Sequence, residues 1–236
     1  MTTSTTSKPP DPFRWPAPWA PKHPDRIQLY SMATPNGQKV GVALEELGLP
    51  YELHRIDITK GDQHDEEYLR INPNGKIPSI VDPHGPAGPL PLMESAVILN
   101  YLARKGGGLL PDDERLYWET QQWLSFQIAS VGPMFGQFGH FFAFARDKTS
   151  DTYALERYTA EVRRLLGVLD RRLSGRTFLV GEQFTIADVA TFPWIAGLSF
   201  YKAQDHLGYA EFAHVVAFVE RCLARPAVQR GMKVGA

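Results

Sequence analysis

Cysteine is almost absent from this 236-residue chain: Cys222 stands alone, in the segment "FVERCLARP". One cysteine allows no internal disulfide framework and no C-x-x-C pair, which fits a reducing compartment and leaves Cys222 as a buried helical residue. Charge of one sign is missing too. The 25 Lys and Arg nearly balance the 26 Asp and Glu, giving a net charge of -1, so no broad basic field points to nucleic acid. No apolar run approaches bilayer length, and the first residues lack the charged-then-apolar layout of a secretory signal. These absences imply a cytoplasmic protein with no membrane and no nucleic-acid partner. No His/Cys/Asp cluster has metal-ligand spacing, so no metal is expected.

Proline is plentiful where structure is least expected. Residues 1–25, "MTTSTTSKPPDPFRWPAPWAPKHPD", read as an extension without its own core. It is either a disordered terminus or an arm that docks Trp15 and Trp19 on the body or a partner subunit. From residue 26 to 106 the pattern alternates. "RIQLYSM" reads as a buried strand, and residues 36–48 form a helix with Val40, Ala43, Leu44 and Leu47 on one face, ended by Gly48. "YELHRIDI" reads as a second strand through Leu53, Ile56 and Ile58, and "DEEYLRIN" as a short helix. "KIPSIVD" and "PLPLME" pair across a Pro/Gly turn, and "ESAVILNYLARKG" is an amphipathic helix. The order βαβαββα describes a small α/β layer. After a linker at 107–113, residues 114–236 carry only helical periodicity. A kink is expected at Gly132-Pro133, and one long helix lines up Leu155, Tyr158, Val162, Leu165, Leu166 and Leu169.

Two short stretches carry chemistry. Ile77-Pro78 is either an edge-strand proline or a cis turn that frees the Ile77 backbone to pair with an extended peptide. Glu94-Ser95 opens the next helix. It is either a plain N-cap by Ser95 or a carboxylate site, where the hydroxyl joins the helix's first N–H groups and its positive end.

The sequence of strand, "TPNG", helix, "IPSIVD", "ESAVILNYLA" and an all-helical half resembles the cytosolic glutathione transferases over residues 26 to about 230. That resemblance implies a thioredoxin-like βαβαββα domain followed by a helical-bundle domain, assembled as a homodimer. It makes Ile77-Pro78 the cis-proline turn that pairs with the cysteinyl backbone of glutathione, and Glu94 and Ser95 the γ-glutamyl site. It makes "FTIADVA" a capping box, with Thr185 as N-cap and Asp188 three residues on. The segments "TPNGQKV", "KGDQ", "NPNGKIPSIVD", "GPMFGQFGHF" and "ERYTAE" are similar to the nu class, the Ure2-like branch. Its members work as glutathione-dependent disulfide reductases with weaker conjugating and peroxidase activity. By that resemblance Thr34 and Asn36 lie beside the sulfur and Gln63 holds the peptide. Lys76 and Arg157 reach its carboxylates.

Glutathione would then supply the sulfur that the chain lacks. Tyr30 and Ser31 are the conventional hydroxyl donors within reach, but strand alternation puts at most one of them on a useful face. Thr34 and Asn36 offer a hydroxyl and amide N–H groups at a helix start, and donors to the charged form lower a thiol pKa. A drop of two units from about 8.5 is worth about 2.7 kcal/mol. Phe135, Phe138 and Phe142 share a helical face after the kink and form either core or the wall of a second-substrate pocket, for a small disulfide or electrophile. A non-catalytic binding or regulatory module on the same scaffold is the competing class.

Overall fold

A computed structural model describes residues 13–236; the first twelve residues of the proline-rich extension lie outside the described residues. Strands β1 (Ile27–Ser31), β2 (Tyr51–Arg55), β3 (Ser79–Gly85) and β4 (Gly88–Leu92) form one sheet in the order β2-β1-β3-β4. β2 runs parallel to β1 after the crossover helix α1 (Pro35–Leu47), whereas β3 is antiparallel to both β1 and β4. β1 lies between two neighbours and is covered on both faces, so all five of its residues are buried. Ile27 and Leu29 join Val40, Ala43 and Leu44 of α1 and Ile98, Leu99 and Leu102 of α3 (Ser95–Gly106) in the main core. Each valine, leucine and isoleucine among them contributes about 1.5–3 kcal/mol when fully buried. The opposite face holds Tyr30, Ile56, Tyr68, Ile71 and Val81.

The described part of the extension covers that second face. Phe13, Trp15, Trp19 and Ile77 pack against it, Trp19 edge-on to Tyr68, and the backbone N–H groups of Lys22 and His23 donate to the Glu52 carboxylate. From residue 13 onward, docking describes the segment and disorder does not.

β2 is shorter than its alternation predicts. It ends at Arg55, with Leu53 and Ile58 each 37% exposed and His54 buried. β2 is an edge strand, and the ring that turns inward is His54, stacked on Tyr30 and hydrogen-bonded to Gln28 Oε1 at 2.7 Å. The short helix is a single turn, α2 (Glu66–Leu69), started by the Asp65 carboxylate.

The second half is helical: α4 (Glu114–Phe126), α5 (Gly132–Gly139), α6 (Tyr153–Leu173), α7 (Ile186–Ala196), α8 (Ala213–Leu223) and α9 (Pro226–Gly231). At Gly132-Pro133 the helical path widens and does not break. A π turn over Gln127–Val131 leads into α5 and another over His140–Phe144 leads out, absorbing the donor that Pro133 lacks. Thr185 and Asp188 form the capping box, with both reciprocal bonds present.

The two halves meet along α1, which packs on α3, α7 and α9. The crossing of α1 with α9 is possible only because both contact residues are glycine. A Cβ on Gly41 would stand 2.7 Å from the Gly231 carbonyl oxygen, and one on Gly231 would stand 2.4 Å from Val42 Cα. Arg225 grips Glu46 with two 2.7 Å hydrogen bonds, and Arg230 reaches Glu45 at 2.6 Å.

Candidate active site

α1 starts one residue earlier than its apolar pattern predicts. Thr34 is the N-cap, in extended conformation, and its hydroxyl oxygen accepts the Gly37 N–H at 3.3 Å. That contact spends a lone pair and leaves the hydroxyl proton free to donate. Gly37 lets the turn close on β1, since a Cβ there would stand 2.1 Å from the Met32 carbonyl oxygen. Asn36, in the first turn, is oriented from the helical half: Trp194 Nε1 of α7 donates to Asn36 Oδ1 at 3.0 Å. An indole N–H can only donate, so the amide oxygen must face Trp194 and the amide NH2 must face away. Asn36 lines two adjoining cavities at once.

The smaller cavity, about 170 Å³, is walled by Asn36, Asn72, Asn74, Ile77, Glu94 and Ser95, with Lys76 exposed at its edge. The Ile77-Pro78 peptide is cis, and the preceding carbonyl is pinned. Lys76 O accepts from Tyr68 Oη and from Asn72 Nδ2, each at 2.6 Å. Opposite, Glu94 precedes α3 with φ 66°, ψ 111° and no side-chain cap. A glutamate held at positive φ costs on the order of 1–3 kcal/mol. It leaves the first N–H groups of α3 without a capping side chain and turns the Glu94 carboxylate outward. Ser95 is thus the first helical residue and not the N-cap.

The larger cavity, about 310 Å³, runs from Asn36, Glu94 and Ser95 to Gln127, Gly132, Gly136 and Trp194 in the helical half. On its floor lies Lys39, 1% exposed, whose ammonium donates to Gln127 Oε1 at 2.8 Å and to Ser95 Oγ at 3.3 Å. Burial pulls its pKa down from 10.5 to about 7, against the pull of the Glu94 carboxylate. Gln127 Nε2 is buried with no hydrogen-bond partner, at a cost of about 1–3 kcal/mol. Sequence reasoning missed Lys39, Gln127, Trp194, Asn72 and Asn74. Only Lys39 carried a signal: it follows Asn36 by three residues and so shares its helical face.

Other sequence expectations are placed elsewhere. Phe135, Phe138 and Phe142 do not wall either cavity. They point into the core of the helical half, with Phe138 stacked on Phe142 and both against His206. The edge of α5 that meets the cleft is its glycine edge, where Gly132 and Gly136 leave room for Trp194. Gln63 also lies outside the cavity walls; its amide turns to its own loop, donating to Ile58 O at 3.5 Å. Arg157 is exposed on α6, beside Glu161, and lines neither cavity. Tyr30 and Ser31 are both sealed. Tyr30 lies on the second sheet face, its hydroxyl buried with no partner among the described residues and its pKa raised by burial. Ser31 lies under α1, donating to Met32 O at 3.3 Å. Among the described residues, no group of three His, Cys, Asp or Glu is placed to hold a metal, and no helix is long and apolar enough to cross a membrane.

This arrangement has close counterparts. Residues 33–105 match the family description "Glutathione S-transferase, N-terminal domain", and residues 131–226 match "Glutathione S-transferase, C-terminal domain". The disulfide-bond oxidoreductase YfcG of Escherichia coli is 43% identical over 209 residues, covering 87% of this chain and 94% of its own length. A glutathione transferase family member from Pseudomonas fluorescens, solved with two glutathione bound, superposes with a TM-score of 0.90 at 50% identity, over 92% of this chain and 96% of that one. A glutathione transferase from Pseudomonas putida, solved with one glutathione disulfide per subunit, also gives a TM-score of 0.90, at 47% identity, over 93% of this chain and 96% of that one. The order of an N-terminal glutathione transferase domain followed by a helical domain is thus shared along nearly the whole chain, and the chain belongs to the glutathione S-transferase family.

Proposed function

We propose that the protein is a glutathione-dependent disulfide reductase of the nu-class, Ure2-like kind. The observation that carries this reading is the Asn36 amide, its oxygen held by Trp194 on a residue that lines both cavities. Relatives named as disulfide-bond oxidoreductases, and neighbours solved with two glutathione molecules or one glutathione disulfide, support it.

In this reading the backbone of Ile77, beside Pro78, pairs with the cysteinyl part of glutathione. Glu94 and Ser95 take the γ-glutamyl end, and Lys76 stands by a carboxylate. Thr34 and Asn36 donate to the sulfur and favour the thiolate. The thiolate attacks one sulfur of a small disulfide. A new S–S bond forms, the old one breaks, and the departing thiolate takes a proton. A second glutathione thiolate then attacks the mixed disulfide at the glutathione sulfur, releasing glutathione disulfide and the other thiol. Two thiols are oxidised for one disulfide reduced, so no cysteine of the chain is needed. Cys222 is buried, which raises its pKa and keeps it inert. Thr34, Gln63 and Arg157 line neither cavity; in this reading Gln63 still holds the peptide and Arg157 reaches across from the helical half to a glutathione carboxylate. Conjugation and peroxide reduction are side activities of the same thiolate.

The reading extends to assembly as a homodimer in the cytoplasm. Val97 and Trp118 are 51% and 58% exposed beside a shallow apolar cavity between α3 and α4, a surface of the kind that a partner subunit covers. Light scattering at micromolar concentration is expected to give twice the chain mass, and a monomer rejects the dimer. The activity itself is tested by comparing kcat/KM for glutathione with 2-hydroxyethyl disulfide against kcat/KM with an aromatic chloride. The disulfide is expected to be the better substrate. The opposite order makes the protein a conjugating transferase, and no turnover of either makes it a binding module.

A further inference from the structure

Lys39 is the cleft's least expected side chain. Lysine is almost never fully buried without a partner of opposite charge, yet this one spends two of its three donors on neutral oxygens, Ser95 Oγ and Gln127 Oε1. The charged group that acts on it is Glu94, which lines the same cavity. Gln127, also fully buried, keeps its Nε2 unpartnered. Gly132 keeps that amide clear: a Cβ there would stand 3.0 Å from it. Lys39, Gln127, Ser95 and Glu94 all line the same 310 Å³ cavity. Unspent donors and an exposed carboxylate lining one cavity are matched by the carboxylate and ammonium of a free amino-acid end.

We propose that Lys39 and Gln127 are positioning residues that receive the α-carboxylate of the ligand's γ-glutamyl end against Ser95, while Glu94 faces its ammonium. This rests on the glutathione reading above and adds to it a buried cation that charges as the ligand arrives. With a pKa of about 7 in the free protein, Lys39 is largely neutral at pH 8. A carboxylate seated beside it favours the ammonium, so binding takes up a proton.

The test uses S-methylglutathione, which has no thiol proton to release and so does not mask uptake elsewhere. Isothermal titration calorimetry at pH 8, in two buffers of different ionisation enthalpy, counts the protons. The full-length protein is expected to take up about 0.8 proton per ligand. Lys39→Met is expected to abolish the uptake and weaken binding about tenfold or more. The decarboxylated analogue, with 4-aminobutyryl in place of γ-glutamyl, is expected to bind both proteins alike without that uptake. Binding heat that does not depend on the buffer overturns the proposal, as does a Lys39→Met protein that keeps both affinity and uptake. Should Lys39→Met not fold, Gln127→Leu decides. A several-fold loss for S-methylglutathione alone supports the proposal, and an equal loss for both ligands overturns it. Failure of the glutathione reading looks different, since neither ligand then binds the unaltered protein at millimolar concentration.

Discussion

Two helices begin at the same cleft, and they begin differently. α1 starts from Thr34 in ordinary extended backbone, with the Gly37 N–H taken by the threonine hydroxyl. α3 starts from Glu94 at positive φ, with no side chain over its first N–H groups. A capped start is stable by itself and has a hydroxyl proton left over, which suits fine placement of a donor. An uncapped start keeps its N–H groups and dipole for something else and carries backbone strain meanwhile. In the proposed reading the difference separates two tasks: α1 presents donors, and α3 holds an anion. Lys39 joins them, rising from α1 to touch Ser95 of α3.

The largest effect that sharpens this comparison is a pH dependence. In the unfolded chain Lys39 keeps its proton up to about pH 10.5, while in the folded protein it loses it near 7. Between those values the unfolded state binds more protons, so stability rises as pH rises from 7 toward 10.5, by up to about 1.4 kcal/mol per unit from this one group. Burial also raises the pKa of Cys222, which contributes in the same window, so the measurement is a difference. Urea unfolding from pH 6.5 to 9.5 is expected to show the rise in the unaltered protein and a flatter profile in Lys39→Met. Parallel profiles would remove Lys39 from its role as the buried cation between the helices.

Next is the donor that α1 presents. Asn36→Ala removes the amide that Trp194 aims. Losing one such donor costs about 2.7–4 kcal/mol of barrier, or roughly a hundredfold or more in rate, and less where water can take its place. The expected outcome is a kcat lowered by about a hundredfold and a higher pKa for bound glutathione, read from thiolate absorbance against pH, with the circular dichroism unchanged. Thr34→Ala is expected to act less on rate and more on stability, by about 1 kcal/mol, as the loss of a cap does.

Much of this contrast was legible before any coordinates. The 3.6-residue periodicity of α1, α3 and α6 is strong, and Thr185 with Asp188 announces a capping box through local chemistry alone. The failures share a cause. Periodicity tells which residues share a face but not what that face meets. Phe135, Phe138 and Phe142 do share a face, yet they turn into the bundle because the glycine edge of α5 is what fits beneath Trp194. β2 misled in the same way, since at a sheet edge Leu53 is left partly exposed while His54 turns inward onto Tyr30. Trp194 lies 158 residues from Asn36, and Lys39 is buried only because Gln127 arrives from the other half. Nothing local encodes either contact.

A smaller effect separates the two helix starts by moving stability and binding in opposite directions. Glu94→Gly is expected to relieve the positive φ and stabilise the fold by about 1 kcal/mol, while the loss of the carboxylate raises KM for glutathione about tenfold. A glycine variant that is less stable than the unaltered protein would mean that φ 66° carries no strain there, and the claim that α3 trades stability for binding would fall.

The smallest expected effect is the most discriminating, because it concerns the hydroxyls that a conventional mechanism would choose. Tyr30 and Ser31 lie at the end of β1, directly before the donors of α1, yet both face away from the cavities. The Tyr30 hydroxyl is buried and makes no hydrogen bond, so Tyr30→Phe removes an unsatisfied polar group. The change should be neutral or stabilise by up to about 1 kcal/mol. Ser31→Ala removes one weak bond to the Met32 carbonyl and opens no space beside the sulfur. Both variants should keep kcat within about twofold and leave the bound thiol pKa where it was, on the same absorbance titration that moves with Asn36→Ala. If either variant erases the thiolate signal while Asn36→Ala retains it, the donor sits on the strand and not on the helix, and the division of labour between α1 and α3 is wrong at its first term.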